Sequence, residues 1–257
     1  MAQLLGNKDR QRERALFEAL MIRISARTEK AMAQEISRAM KAAAVAYEKE
    51  GDFGLLGVHH DHIGQVRRIL TACWKTAVDT FGQRIVDQAK GYYPRHIKSQ
   101  GVVRPEMYER ILAEYVGLYG GDEIELVSNT TKQQIRQVIN NVRGDGGSVP
   151  EIAKELRSVA PGFGRVRALC ISRTETHSAA GYSQDEMMNA TGMAYKQEWV
   201  ACLDGREREE HAAANGQVVG KNDAFIVGGE TLQFPGDPAG SAGNIINCRC
   251  CAVYEVV

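Results

Sequence analysis

The residues whose types and spacing could carry chemistry lie near the C-terminus. Cys248-Arg249-Cys250 places two thiols one residue apart, and His211 and Cys202 precede them. Together Cys202, His211, Cys248 and Cys250 make a Cys3His set of the kind that holds structural zinc. Side chains one residue apart on a strand point to opposite faces, so a shared ion requires a turn at 248–250. A metal staple would contribute folding energy to a module thin in large apolar side chains. The alternative is a hydrogen-bonded His211 beside buried thiols, with Arg249 paired to Asp204 or Glu207. A thiol–histidine nucleophile would use the same residues, but it needs an orienting group and an oxyanion site that the sequence does not show.

Two further groupings invite a chemical reading. His59-His60-Asp61-His62 could hold a metal, yet three near-adjacent side chains on one loop need a ligand from elsewhere. A polar loop over 51–62, with Asp61 capping the next helix, accounts for the same residues. Arg173-Thr174-Glu175 faintly resembles the Arg and Glu motifs of ADP-ribosyltransferases. Two positions apart on a helix, however, Arg173 and Glu175 face different ways. The expectation for them is structural, with one buried in an ion pair where the helix packs on the C-terminal module. Neither a P-loop nor a G-x-G-x-x-G pattern is present.

The elements that must position these groups are mainly helical. Residues 8–49 contain no Pro or Gly and are rich in Ala, Glu, Arg, Lys and Met, which predicts one very long helix. Its apolar stripe runs through Leu16, Leu20, Ile24, Met32, Ile36, Met40, Ala43 and Tyr47. Some 42 residues would extend about 60 Å and call for a partner along the side. Further helices are expected over 63–90, from Pro105 to Gly120-Gly121, and over 129–143. Ser148 and Glu151 form a capping box opening a short helix 149–159, which Pro161-Gly162 should end before another helix spans 164–191. Beyond Gly192 the pattern changes. Strands are expected at 195–203, 224–227, 230–234 and 250–256, separated by glycines. The fold class is α+β: a helical N-terminal two-thirds, residues 1–160, followed by a module of residues 161–257 ending in a small β-rich region, 195–257.

Charge is unevenly spread although the net charge is zero. Residues 1–100 carry 17 Lys/Arg against 11 Asp/Glu, net +6, and residues 171–257 carry 6 against 12, net −6. The C-terminal region is therefore a poor grip for a phosphate backbone. Arg10, Arg12, Arg14, Arg23, Arg27 and Lys30 on the first helix are a better candidate for sequence-independent contact with DNA, and ion pairs along an exposed face explain the same residues. No run approaches the roughly 18 apolar residues of a membrane span. Nor does the N-terminus show a secretion signal, so a protein of the cytosol in which it is made, with reduced cysteines, is expected. Cys73 and Cys170 fall within apolar helical patterns and read as core.

The C-terminal third resembles the phage head morphogenesis proteins typified by protein F of phage Mu. The matching features are Arg173-Thr174-Glu175-Thr176 with Ser178-Ala179-Ala180-Gly181, then Lys196 to Ala201 around Trp199. Next come Asp204 to His211 with Arg208, Asn215 to Val219, Phe234 to Pro238, and finally Ile246-Asn247-Cys248-Arg249-Cys250. The resemblance implies a non-enzymatic minor capsid protein of a tailed bacteriophage, located in the virion at the capsid interior or portal vertex. Its implied roles are head assembly or DNA packaging and ejection. Its implied partners are the portal protein, scaffold or major capsid protein. An ADP-ribosyltransferase or other toxin carried in the virion, and a zinc-stapled DNA-contacting module, are the alternative readings.

Overall fold

The computed structural model describes residues 6–92 and 104–257. Among the described residues, five α-helices make up the first part: α1 (Asn7–Glu50), α2 (Gly54–Tyr92), α3 (Pro105–Tyr115), α4 (Gly121–Gly144) and α5 (Val149–Ala190). The rest contains β1 (Tyr195–Val200), α6 (Glu209–Ala214), β2 (Val218–Gly220), β3 (Phe225–Val227), β4 (Glu230–Leu232), α7 (Ala242–Ile245) and β5 (Cys251–Val256). The architecture is α+β, with the long first helix and the small strand-bearing C-terminal region that the sequence predicts.

The long helix forms within one residue of its expected ends, because nothing between Asn7 and Glu50 breaks the backbone pattern. Three other expectations are corrected. The segment 51–62 is not a loop: a 3-10 turn over Gly51–Phe53 leads directly into α2. Asp61 is then an exposed mid-helix residue and not a cap. Gly120-Gly121 does not separate two helices by a loop either, since a π-helical turn, Val116–Gly120, joins α3 to α4. Pro161 does not end a helix but lies inside α5. A proline removes one N–H and crowds the preceding turn. Here Leu156 and Ala160 before it and Ala168 and Ile171 after it are all buried, and burial of that apolar face offsets the local cost. The capping pair is present in a variant form, with both the backbone N–H and the hydroxyl of Ser148 donating to Glu151 Oε2 at 2.7 Å.

The chain packs as two compact units, each assembled from separated segments. This is a division by packing, distinct from the sequence modules 1–160 and 161–257. One unit comprises residues 25–73 and 118–172. It is helical, and its core includes Met32, Ile36, Met40, Leu70, Ile135 and Leu156. Surface ion pairs Arg157–Glu48 and Arg143–Asp52 link its helices at 2.6 and 3.0 Å.

The other unit comprises residues 1–24, 74–117 and 173–257. Phe17 packs on Phe81 and on the ring edge of His177. Buried Arg10 lies 2.7 Å from Glu198 Oε1 on β1, and Arg84 pairs with Glu13. The sheet order is β2-β1-β5, all antiparallel, with Val200 opposite Cys251 and Tyr195 opposite Val256. β2 is a strand that the alternation in the sequence did not indicate, being three residues long. β3 and β4 form a hairpin whose turn, Gly228-Gly229, uses positive φ at both glycines. Trp199, Phe225, Val227 and Leu232 make the core of this region together with Cys248 and Cys250.

Candidate functional site

The site is built on three short pieces around the Trp199 core. α6 carries His211, the turn after α7 carries Cys248, and the last residue before β5 is Cys250. Asn247 occupies the left-handed region at φ 55, which asparagine tolerates better than most residues. Its backbone N–H donates to Thr174 Oγ1 at 3.1 Å on α5. Arg208, just before α6, donates to the Ile246 carbonyl at 2.6 Å and holds the same turn from the other side. This turn supplies what an extended Cys-x-Cys lacks: both sulfurs reach the same nitrogen.

His211 Nδ1 lies 3.3 Å from Cys250 Sγ and 3.7 Å from Cys248 Sγ. All three side chains are buried, and they form the one His/Cys/Asp/Glu group among the described residues whose donor atoms lie close enough to share an ion. The other ring nitrogen, Nε2, is 3.3 Å from Asn244 Oδ1. Asn244 is itself oriented by donating Nδ2–H to the Val227 carbonyl. The oxygen therefore faces His211, Nε2 carries the proton, and Nδ1 presents its lone pair to the sulfurs. Trp199 lies edge-on to the His211 ring and fixes its plane. A hydrogen bond from Cys250 holds the Cys248 thiol below the usual range, while the same bond and burial push Cys250 well above it.

Cys202 does not join them. Its sulfur accepts from Arg14 at 3.1 Å and from Arg249 at 3.4 Å. Arg249 in turn makes a two-pronged pair with Asp204 at 2.6 and 2.8 Å, as the alternative reading of the sequence expected. Arg206 also pairs with Asp204, and these two guanidinium groups hold the Asp204 carboxyl well below the usual carboxylate range. Glu207 accepts the backbone N–H groups of Asp204 and Gly205, closing the loop before α6. A cavity of about 340 Å³ opens beside this cluster, with Arg173, Arg206, Arg208 and Arg249 on its walls and all three donors of the site among its lining.

Arg173 and Glu175 do face different ways, and Glu175 is the one of the two that is buried. Arg173 is exposed, and buried Glu175 accepts the indole N–H of Trp74 at 2.9 Å. The helix turns them about 200° apart, so the Glu175 carboxylate goes inward, where the Trp74 indole N–H donates to it. His59, His60 and His62 do not come together as a set of metal donors among the described residues. His62 is buried with Nδ1 at 2.8 Å from Glu35 Oε1, His60 is exposed, and His59 lines a small cavity with Thr131 and Ile135. On a helix, His59 and His62 lie three residues apart and line that cavity together, while His60 turns outward.

His177 is the site residue that sequence reading missed. It is buried, Nε2 donates to the Cys250 carbonyl at 2.7 Å, and burial drives its pKa down to about 4, so the ring is neutral. The signal available was its place between Arg173-Thr174-Glu175-Thr176 and the small residues Ser178 to Gly181. Gly181 lets α5 approach Phe234-Pro235 so closely that a Cβ there would stand 2.9 Å from the Pro235 carbonyl. The small-residue stretch is thus a packing surface for the 234–238 turn.

Comparison with known proteins agrees with the C-terminal motifs. Residues 133–253 match the family described as "Phage Mu protein F like protein", which shows the resemblance over that segment. Uncharacterized protein YqbB of Bacillus subtilis (strain 168) is 25% identical over 187 residues, covering 68% of this chain and 61% of that protein. NAD(+)--arginine ADP-ribosyltransferase EFV of Enterococcus faecalis (strain ATCC 700802 / V583) is 29% identical over 136 residues, covering 52% of this chain and 26% of that protein. The chain spans less than two thirds of the length of either relative. No solved structure matches it significantly.

Proposed function

We propose that this chain, whose residues 133–253 match the phage Mu protein F-like family, is a minor head protein of a tailed bacteriophage. It acts by binding near the portal vertex of the virion, in head assembly or in handling DNA at packaging or ejection. The family match is the observation that carries the reading. Several motif residues support it, because they are engaged in holding their own packing unit together: Trp199 in the core, Asp204 on Arg249, Arg208 on Ile246, and Glu175 on Trp74. Residues committed to internal contacts fit a binding protein better than a catalyst.

Docking is assigned to the outer face of α1. Leu16 and Ile22 are 46% and 60% exposed there, beside exposed Arg12 and Arg23. The inner face is core, through Phe17, Met21, Ile24, Met32 and Ile36, so removing residues 1–50 would unfold the protein instead of testing docking. The cleaner experiment is affinity capture of the cognate portal, scaffold and major capsid proteins by the full chain and by a Leu16→Asp/Ile22→Asp variant. The reading expects capture of at least one of them and weaker capture by the variant. Equal capture refutes the α1 surface, and capture of none refutes the head-protein reading.

The likeness to EFV favours ADP-ribosyl transfer as a second reading. Against it stands the geometry at 173–175, where the glutamate is buried on an indole and the arginine points away. Release of nicotinamide from NAD by the purified chain would establish that reading. DNA contact through α1 is narrowed, since Arg10 is buried on Glu198 and Arg14 is engaged by Glu18 and Cys202. Arg12, Arg23, Arg27 and Lys30 remain exposed. Filter binding that lacks salt dependence would exclude a phosphate grip through them.

A further inference from the structure

We propose that His211 Nδ1, Cys248 Sγ and Cys250 Sγ bind one zinc ion, with the fourth position supplied from the adjacent arginine-walled cavity by a water molecule or small anion. Cys202 is not a ligand. The proposal is independent of the head-protein reading.

Four observations carry it. The first is distance. Tetrahedral zinc with Zn–S near 2.3 Å and Zn–N near 2.05 Å has S···N edges of about 3.6 Å. The two observed separations, 3.3 and 3.7 Å, straddle that value. The second is the fixed tautomer. Asn244 Oδ1 engages Nε2, as the carbonyl or carboxylate partner of a metal-bound histidine does, and aims the Nδ1 lone pair at the sulfurs. The third is charge. Zinc with two thiolates and a neutral imidazole is a set of zero net charge, which a buried position accepts far more readily than an unpaired ion. Both sulfurs give up their protons to solvent as the ion enters. The fourth is chemical preference, since a thiolate–imidazole set of this size selects zinc over the hard oxygen-seeking cations.

The three donors are all in the lining of the cavity, so a fourth donor can approach them. Cys202 also lies on that lining, but its sulfur is held by the Arg14 and Arg249 guanidinium groups, and Arg249 is itself fixed by Asp204. The site is therefore a Cys2His centre with one exchangeable position, and not the closed Cys3His staple that the sequence suggests. Four arginines on the cavity wall make an anion a suitable occupant of that position.

The full chain, expressed with zinc supplied and dialysed, is expected to retain about one zinc per chain by elemental analysis. Cys202→Ser is expected to retain the same amount, whereas Cys248→Ser, Cys250→Ser and His211→Gln each lose it. Should those three variants fail to fold, the unsubstituted chain decides. Freed of metal and titrated with cobalt(II), it should develop the visible bands of a tetrahedral ion and a charge-transfer absorption of two-thiolate intensity. Retention below about a tenth of a zinc per chain with no cobalt spectrum would overturn the site. Loss of zinc in Cys202→Ser, or a three-thiolate cobalt spectrum, would overturn the assignment of its ligands.

Discussion

His177 donates Nε2–H to the Cys250 carbonyl at 2.7 Å, and the opposite edge of the same ring lies against Gly236. One buried imidazole thus ties helix α5 to the Cys248-Arg249-Cys250 segment and sets how close the Phe234–Pro238 turn can come. A Cβ on Gly236 would overlap Nδ1, and Gly236 has φ +85, where side chains other than hydrogen are strained. Gly236→Ala should therefore destabilise the protein by about 2 kcal/mol or more. Urea unfolding would show a lowered midpoint with an unchanged slope.

The Arg10–Glu198 pair is buried at both ends, with side chains 7% and 0% exposed. Removing one partner leaves a charge without its counter-ion, so Arg10→Met or Glu198→Met alone should cost about 3–5 kcal/mol. The double variant Arg10→Met/Glu198→Met should recover much of that loss. A double-mutant cycle by chemical denaturation checks it, and additive losses would contradict the pair.

Asp185 should make stability depend on pH in an unusual direction. Burial, with the nearby Glu186 and Asp237 carboxylates, pushes its pKa up to about 7 despite the amide of Asn189 donating to it at 3.2 Å. An unfolded aspartate titrates near pH 3.9. Between those values the folded protein holds a proton that the unfolded chain releases. The contribution is complete below about pH 4 and is lost as pH rises through 7. Asp185→Asn, which keeps the neutral form, should melt higher than wild type at pH 8 by about 1–2 kcal/mol after allowance for partial exposure, and lose the advantage near pH 4.

Glu175 is predicted to be a structural acceptor. Glu175→Ala should cost about 1–3 kcal/mol by leaving the Trp74 indole N–H buried without its acceptor, and Glu175→Gln should recover part of the loss through its amide oxygen. Trp74 fluorescence during denaturation would report both. A Glu175→Gln protein that folds normally but loses a measurable NAD-dependent activity would overturn the structural assignment.

Local order was legible without the fold. The α1 helix follows from the absence of breakers between Asn7 and Glu50, and the cap at 148–151 from Ser and Glu three apart. Short strands at 224–227 and 230–234 are expected on either side of Gly228-Gly229, and the fold pairs Phe225–Val227 with Glu230–Leu232 as a hairpin. Pro161 shows the limit of such reading. Its local cost is real, but burial of Leu156, Ala160, Ala168 and Ile171 on both sides outweighs it, and that burial depends on segments distant in sequence.

The Cys202, His211, Cys248 and Cys250 donors divide in the same way. Residue chemistry alone identified a thiol–imidazole set, and the alternative to a metal paired Arg249 with Asp204 or Glu207. Which donors converge was decided in three dimensions. The left-handed turn at Asn247 brings Cys248 and Cys250 to one nitrogen, Asn244 selects that nitrogen, and Arg14, 188 residues away in sequence, engages Cys202. Composition and spacing determine what a side chain can bind. Only packing determines which partner reaches it, because a contact between distant residues exists only after the backbone that separates them has been placed.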